Sequence, residues 1–169
     1  MNTIVDLIIT YEDVKSKAMQ LLSVLGKRTI AEGGDSQFTR VQVGKAEEPL
    51  LVEFAKKAAH DVMEKIAPCV FDLVEDADGL SCKVSFIRWN RTNAESTDAA
   101  FAGMVSDYCS SVTISDYLSL YFPQHAQFFK ERAVGIMASI LSVCYNKRPH
   151  LARGSYYDST TSDAIDEEQ

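Results

Sequence analysis

Between Pro68 and Trp89 the apolar pattern of this chain changes period, and that change limits the folds open to it. Leu80, Cys82, Val84 and Phe86 fall on one side of an alternation whose other side is Ser81, Lys83, Ser85 and Ile87. This is the two-residue repeat of a strand. The preceding Cys69-Val70-Phe71-Asp72-Leu73-Val74 is β-rich and Glu75–Gly79 (EDADG) is turn-rich. The spacing therefore predicts a β-hairpin over about 69–89. An isolated hairpin is marginal in water, so this one must pack on helices or pair with another strand.

On either side the repeat is that of a helix. Val14, Ala18, Leu21, Leu22 and Leu25 share one face of a first helix, Tyr11 to Leu25. Thr10 stands at its N-cap with Asp13 three residues on, and Gly26 marks its stop. Residues 26–37 read as a mobile loop and Phe38 to Val43 as a weak strand. Glu47-Glu48-Pro49 opens a second helix over about 48–66, with Leu51, Phe54, Ala55, Ala58, Val62 and Ile66 at helical spacing and Pro68 beyond.

After a polar loop at 90–97, a third helix is expected over about 98–122, its apolar face built from Phe101, Met104, Val105, Tyr108 and Val112. The β-branched Val112-Thr113-Ile114 predicts a kink near 110–115, and Pro123 closes the helix. A fourth helix, about 124–147, carries Phe129, Ala133, Ile136, Met137, Ile140, Leu141 and Cys144 on one face. There is no internal repeat. The expected fold is mainly α (α+β): a single four-helix domain over 1–152 with the hairpin inserted between its second and third helices. Residues 153–169 are expected to form a flexible acidic C-terminal arm.

Composition narrows the class. At 46% apolar the chain can build a core without disulfide or metal staples, which argues against disorder. No apolar run approaches the ~18–20 residues of a membrane span. The N-terminal MNTIVDLIITYEDVK has an acid inside its short apolar stretch and no basic leader, so it is not expected to be a signal peptide. Lys and Arg number 17 against 24 Asp and Glu, a net charge of −7, and no basic stripe suits phosphate neutralisation. Residues 153–169 hold five acids and one base, so most of the acidity sits at the C-terminal end. Cys69, Cys82, Cys109 and Cys144 form no CxxC pair and each lies in an apolar segment, as in a reduced cytosolic protein.

Chemical motifs fail on inspection. Leu25-Gly26-Lys27-Arg28-Thr29 lacks the first glycine of a phosphate loop and has Arg where Ser or Thr is needed. A helix C-terminus also has the wrong polarity for phosphate. Glu75, Asp76 and Asp78 fall in a hairpin turn instead of the ~12-residue spread of a calcium loop. His60 and Glu64 stand one turn apart, yet no HExxH or second nearby His accompanies them, and His125 and His150 read as surface residues. No GxSxG, SxxK or Cys–His signature is present. The expectation is a non-enzymatic protein with no catalytic residues, cofactor or metal.

Two groups suit partner docking. Trp89 with Arg88 and Arg91 combines the residue types enriched in interface hot spots, and Trp89 equally suits closing the hairpin end against the core. Tyr156 and Tyr157 are two aromatics in an otherwise solvating acidic segment, suited to anchor on a strand or groove. Residues 128–149, FFKERAVGIMASILSVCYNKRP, ending in the aromatic-x-x-Arg run Tyr145-Asn146-Lys147-Arg148, resemble the C-terminal helix of phage head–tail connector (head completion, or neck ring) proteins. The likeness is to versions from phages and prophages of Bacteroides-like hosts.

The resemblance implies a virion structural role at the neck, with assembly in the bacterial host cytoplasm. About a dozen copies would form a ring below the portal through head-to-tail contacts. That ring would contact the portal protein and tail or other neck proteins, with genome DNA passing through its channel without sequence-specific binding and with no membrane partner. By the same resemblance, Tyr156 and Tyr157 are docking candidates, and Arg148 is either a third or a cap on the last helix. Two other readings fit the residues: a soluble cytoplasmic regulatory module binding a partner through its tail, and an enzyme assembled from His60, Asp61 and Glu64.

Overall fold

A computed structural model of the chain describes residues 2–31, 43–87 and 94–145. Strand β1 (Asn2–Thr10) leads directly into helix α1 (Tyr11–Ala31). Helix α2 (Glu48–Ile66) and a short 3-10 turn (Ala67–Cys69) precede strands β2 (Val70–Asp76) and β3 (Gly79–Ile87). Helices α3 (Ala94–Tyr121) and α4 (Pro123–Tyr145) follow. The mainly α class holds, with four helices and one small antiparallel sheet among the described residues.

The hairpin forms where the alternation put it, but it is not alone. Strand order is β1-β3-β2, and β1 pairs with β3 from Asn2 opposite Ile87 to Thr10 opposite Gly79. β1 is the element that the sequence reading did not assign. Val5, Leu7 and Ile9 are buried, while Ile4 and Ile8 on the other side are exposed. Because both sides are apolar, the alternation does not show as polarity. The third strand supplies the pairing that a lone hairpin lacks.

Two details fix the sheet's shape. A Cβ on Gly79 would collide with the carbonyl of Ile9, so only glycine lets β1 close onto the turn. Between Phe71 and Val74 the β2 register slips in a bulge, where Asp72 adopts a left-handed φ of 53°. Asp tolerates that region better than most residues, and here Lys83 Nζ holds its carboxylate at 2.9 Å.

The helices depart from expectation in several places, and α3 begins at Ala94, inside the expected 90–97 loop. α1 does not stop at Gly26 but continues to Ala31, since an interior glycine costs only about 1 kcal/mol and a strongly packed first half carries the helix past it. Residues 26–31 of the expected loop are thus helical, while its other half and most of the weak strand fall in residues 32–42, outside the described residues. α3 is one uninterrupted helix through 110–115. Its hydroxyls turn back on their own helix: Ser110 donates to the Ser106 carbonyl at 2.8 Å, Ser111 to Asp107 at 2.7 Å and Thr113 to Cys109 at 2.8 Å. The buried polar groups are thus satisfied without breaking the helix. Pro123 does more than end α3; it is the first residue of α4, where its missing N–H is harmless.

The helices cover one face of the sheet. α3 is the central one, packing against α4, α2 and α1. One core cluster joins Val5, Leu7, Ile9, Leu80, Cys82 and Val84 of the sheet to α2, α3 and α4. A second, around Leu22, Leu51, Ile114, Tyr117, Leu118 and Phe129, fills the space among the four helices. Glu47, just before α2, accepts a 2.8 Å hydrogen bond from the Tyr117 hydroxyl, which lowers its carboxyl pKa and ties that loop to α3.

Candidate interaction surfaces

α2, α3 and α4 leave between them an open groove of about 550 Å³. Its floor is apolar, from Val112 on α3 and Ala133, Val134, Met137, Ala138 and Leu141 on α4. Lys65 and Tyr108 stand toward one end, Ser119 and Lys130 toward the other. The Ser115 hydroxyl donates to the Ala126 carbonyl at 3.2 Å, joining α3 to α4 near the second end.

The first end is a linked set of charges. Asp61 and Lys65, one turn apart on α2, meet at 2.7 Å, and Lys65 Nζ lies 3.0 Å from the Tyr108 hydroxyl. That hydroxyl donates a short hydrogen bond to Asp61. Burial disfavours the Asp61 charge, but the hydrogen bonds from Lys65 and Tyr108 outweigh it and hold the carboxyl below its ordinary range. Burial likewise opposes the Lys65 charge and is overcome by Asp61 and Tyr108, so its pKa rises. Burial first, then Asp61, pushes Tyr108 up. At neutral pH all three groups therefore sit firmly in their usual charge states. A general acid or base works best with a pKa near the operating pH, so this trio serves to pin α2 to α3.

The second surface is the open face of the sheet. The register places Ile8 opposite Ser81 and Ser81 opposite Val74, with Asp6 and Phe71 flanking Lys83 in the next outward row. Ile4, Ile8, Phe71, Leu73 and Val74 are all exposed, Ile8 by 73%. Both edge strands thus present apolar side chains to solvent beside an Asp6–Lys83–Asp72 band. On the helical layer, Phe128 and Val134 of α4 are also exposed.

The docking residues chosen from sequence, Arg88, Trp89, Arg148, Tyr156 and Tyr157, lie outside the described residues, as do Arg91 and His150. His60, Asp61 and Glu64 do not converge. His60 Nε2 lies 3.1 Å from Glu75 Oε1 on β2, Asp61 turns to Tyr108, and Glu64 is exposed to solvent. Of the supposed calcium ligands, Glu75 and Asp76 belong to β2, and the Asp78 carbonyl accepts from the Tyr11 N–H at 2.9 Å. Among the described residues no cluster of His, Cys, Asp and Glu is arranged to hold a metal.

All four cysteines are free thiols. Burial pushes Cys82 up to about 11 and Cys109 to about 12. It also raises Cys144 to about 12 with help from neighbouring Cys69, itself raised by burial. Such thiols carry almost no nucleophilic thiolate at neutral pH. No described helix is long and apolar enough to cross a membrane. Comparison of the chain with family models, curated proteins and solved structures finds no match.

Sequence reasoning missed both surfaces. The outward pair Ile4 and Ile8, two positions either side of Asp6 in a β-branched run, was the available signal for the sheet face. The groove had none, because its residues come from three helices.

Proposed function

We propose that this chain is a non-enzymatic virion structural protein of the head–tail junction. About a dozen copies form a ring below the portal that extends the DNA channel and receives the tail, through head-to-tail contacts. The observation that carries this reading is the pair of unlike apolar surfaces: the open sheet face with Ile4, Ile8, Phe71 and Val74, and the exposed Leu120 and Phe128 beside the turn between α3 and α4. Contiguous exposed apolar area usually marks a binding surface, and a head-to-tail ring needs two different ones on each subunit. The connector-like sequence of α4 and its exit supports the same assignment. The neighbours in this reading are further copies, the portal protein and tail or neck proteins. DNA passes without base-specific contact, and the low density of cations suits passage.

The test is composition of the particle. In particles purified from a host carrying this gene, quantitative mass spectrometry against the portal protein should find about a dozen copies each. Absence from the particle, together with capture on a host protein in cells making no particles, would replace this reading with a cytoplasmic interaction module.

A further inference from the structure

We infer that the α3–α4 groove is the seat of this chain's own C-terminal segment, anchored by the Tyr156-Tyr157 pair. The chain leaves α4 at the groove's mouth. Tyr145, the last residue of α4, donates its hydroxyl to the Lys65 carbonyl at 3.0 Å, and Lys65 lines the groove. Tyr156 follows Tyr145 by eleven positions, a length that spans at most ~36–40 Å. The stretch of α4 along the groove, from Leu141 back to Lys130, is only ~16 Å long. The anchor therefore reaches every part of the floor. A tether of this length holds its end at an effective concentration of about millimolar, so weak contacts suffice.

The chemistry of the two partners is complementary. The floor is apolar and open, and Tyr156 and Tyr157 are the aromatic residues of the 153–169 segment. Adjacent side chains of an extended chain point to opposite sides, so one ring enters while the other covers the rim. Asp116 and Asp61 are already answered by Lys57 and Lys65, each at 2.7 Å. Lys130 has no counter-ion among the described residues. Asp158, directly after the tyrosine pair, supplies that charge, within a segment of five acids and one base. This inference does not depend on the ring reading: a self-covered groove is equally open to a free module.

The test uses the full-length chain with ¹³C-labelled methionine methyls, the Met137 signal being identified among the five methionines by its loss in Met137→Leu. Nuclear Overhauser contacts from Met137 to tyrosine ring protons are expected, persisting on dilution. The part of this signal that Tyr108 does not supply should vanish in the double variant Tyr156→Ala/Tyr157→Ala, return as contacts to phenylalanine ring protons in Tyr156→Phe/Tyr157→Phe, and weaken in Asp158→Asn or at high salt. Tyr108 also borders the groove, so the decisive signal is the difference between the two double variants. Contacts unchanged by the alanine pair overturn the proposal. So do contacts that disappear on dilution, which would mean another copy's arm.

Discussion

Gly79 is held to glycine by its neighbour and not by its own backbone. The Ile9 carbonyl occupies the space a Cβ would need, and the opposing atom is main chain that cannot swing aside. Gly79→Ala should therefore lower unfolding free energy by about 2 kcal/mol or more, read as a drop in the denaturant midpoint. Asp61 makes a different kind of contribution. Its carboxyl is held below the ordinary range by Lys65 and Tyr108 against the opposing effect of burial, so its stabilisation is present above that range and lost as pH falls through the depressed value. Asp61→Asn should be less stable than the parent at neutral pH, with the gap closing as acid protonates the parent's Asp61. The side chains of Asp61 and Lys65 are 38% and 43% exposed, so solvent screening keeps the gap small. Denaturant titrations stepped from neutral to acid pH measure it.

At the scale of elements, what the sequence discloses depends on how unlike the two sides of each element are. α2 was legible to its ends because Glu48-Pro49 opens it and its buried residues Leu51, Ala55, Ala58, Ala59, Val62 and Ile66 lie on one helical face. β3 was legible because its outward positions are Ser81, Lys83 and Ser85. β1 was not, since Ile4 and Ile8 mask the alternation of Val5, Leu7 and Ile9. Local rules at Gly26 and at Val112-Thr113-Ile114 suggested a stop and a kink, and tertiary packing along α1 and α3 overrode both. The strand register carries a clean test. Leu7→Ala, which empties a fully buried site, should cost ~2–5 kcal/mol. Ile8→Ala next to it should change stability by no more than ~0.5 kcal/mol. Denaturant melts of the two variants compare them directly.

For the whole molecule, the sequence located residue types suited to docking but not the surfaces that the fold creates. The groove is assembled from side chains as distant as Lys65 and Leu141, a juxtaposition that no periodicity within one helix reveals. The sheet face exists only because β1 arrives to flank β3. The sheet face and the exposed Leu120 and Phe128 of the helical layer, and not any one motif, support the assembly reading. Ile8 is their sharpest probe, because it is the most exposed large apolar side chain of the described residues and supports no core contact. The decisive experiment places Ile8→Asp in the producing host and examines the particles by electron microscopy. Filled heads without tails are expected, from a protein whose helical circular dichroism is unchanged. Tailed particles at the parental frequency would mean that the sheet face takes no part in joining head to tail.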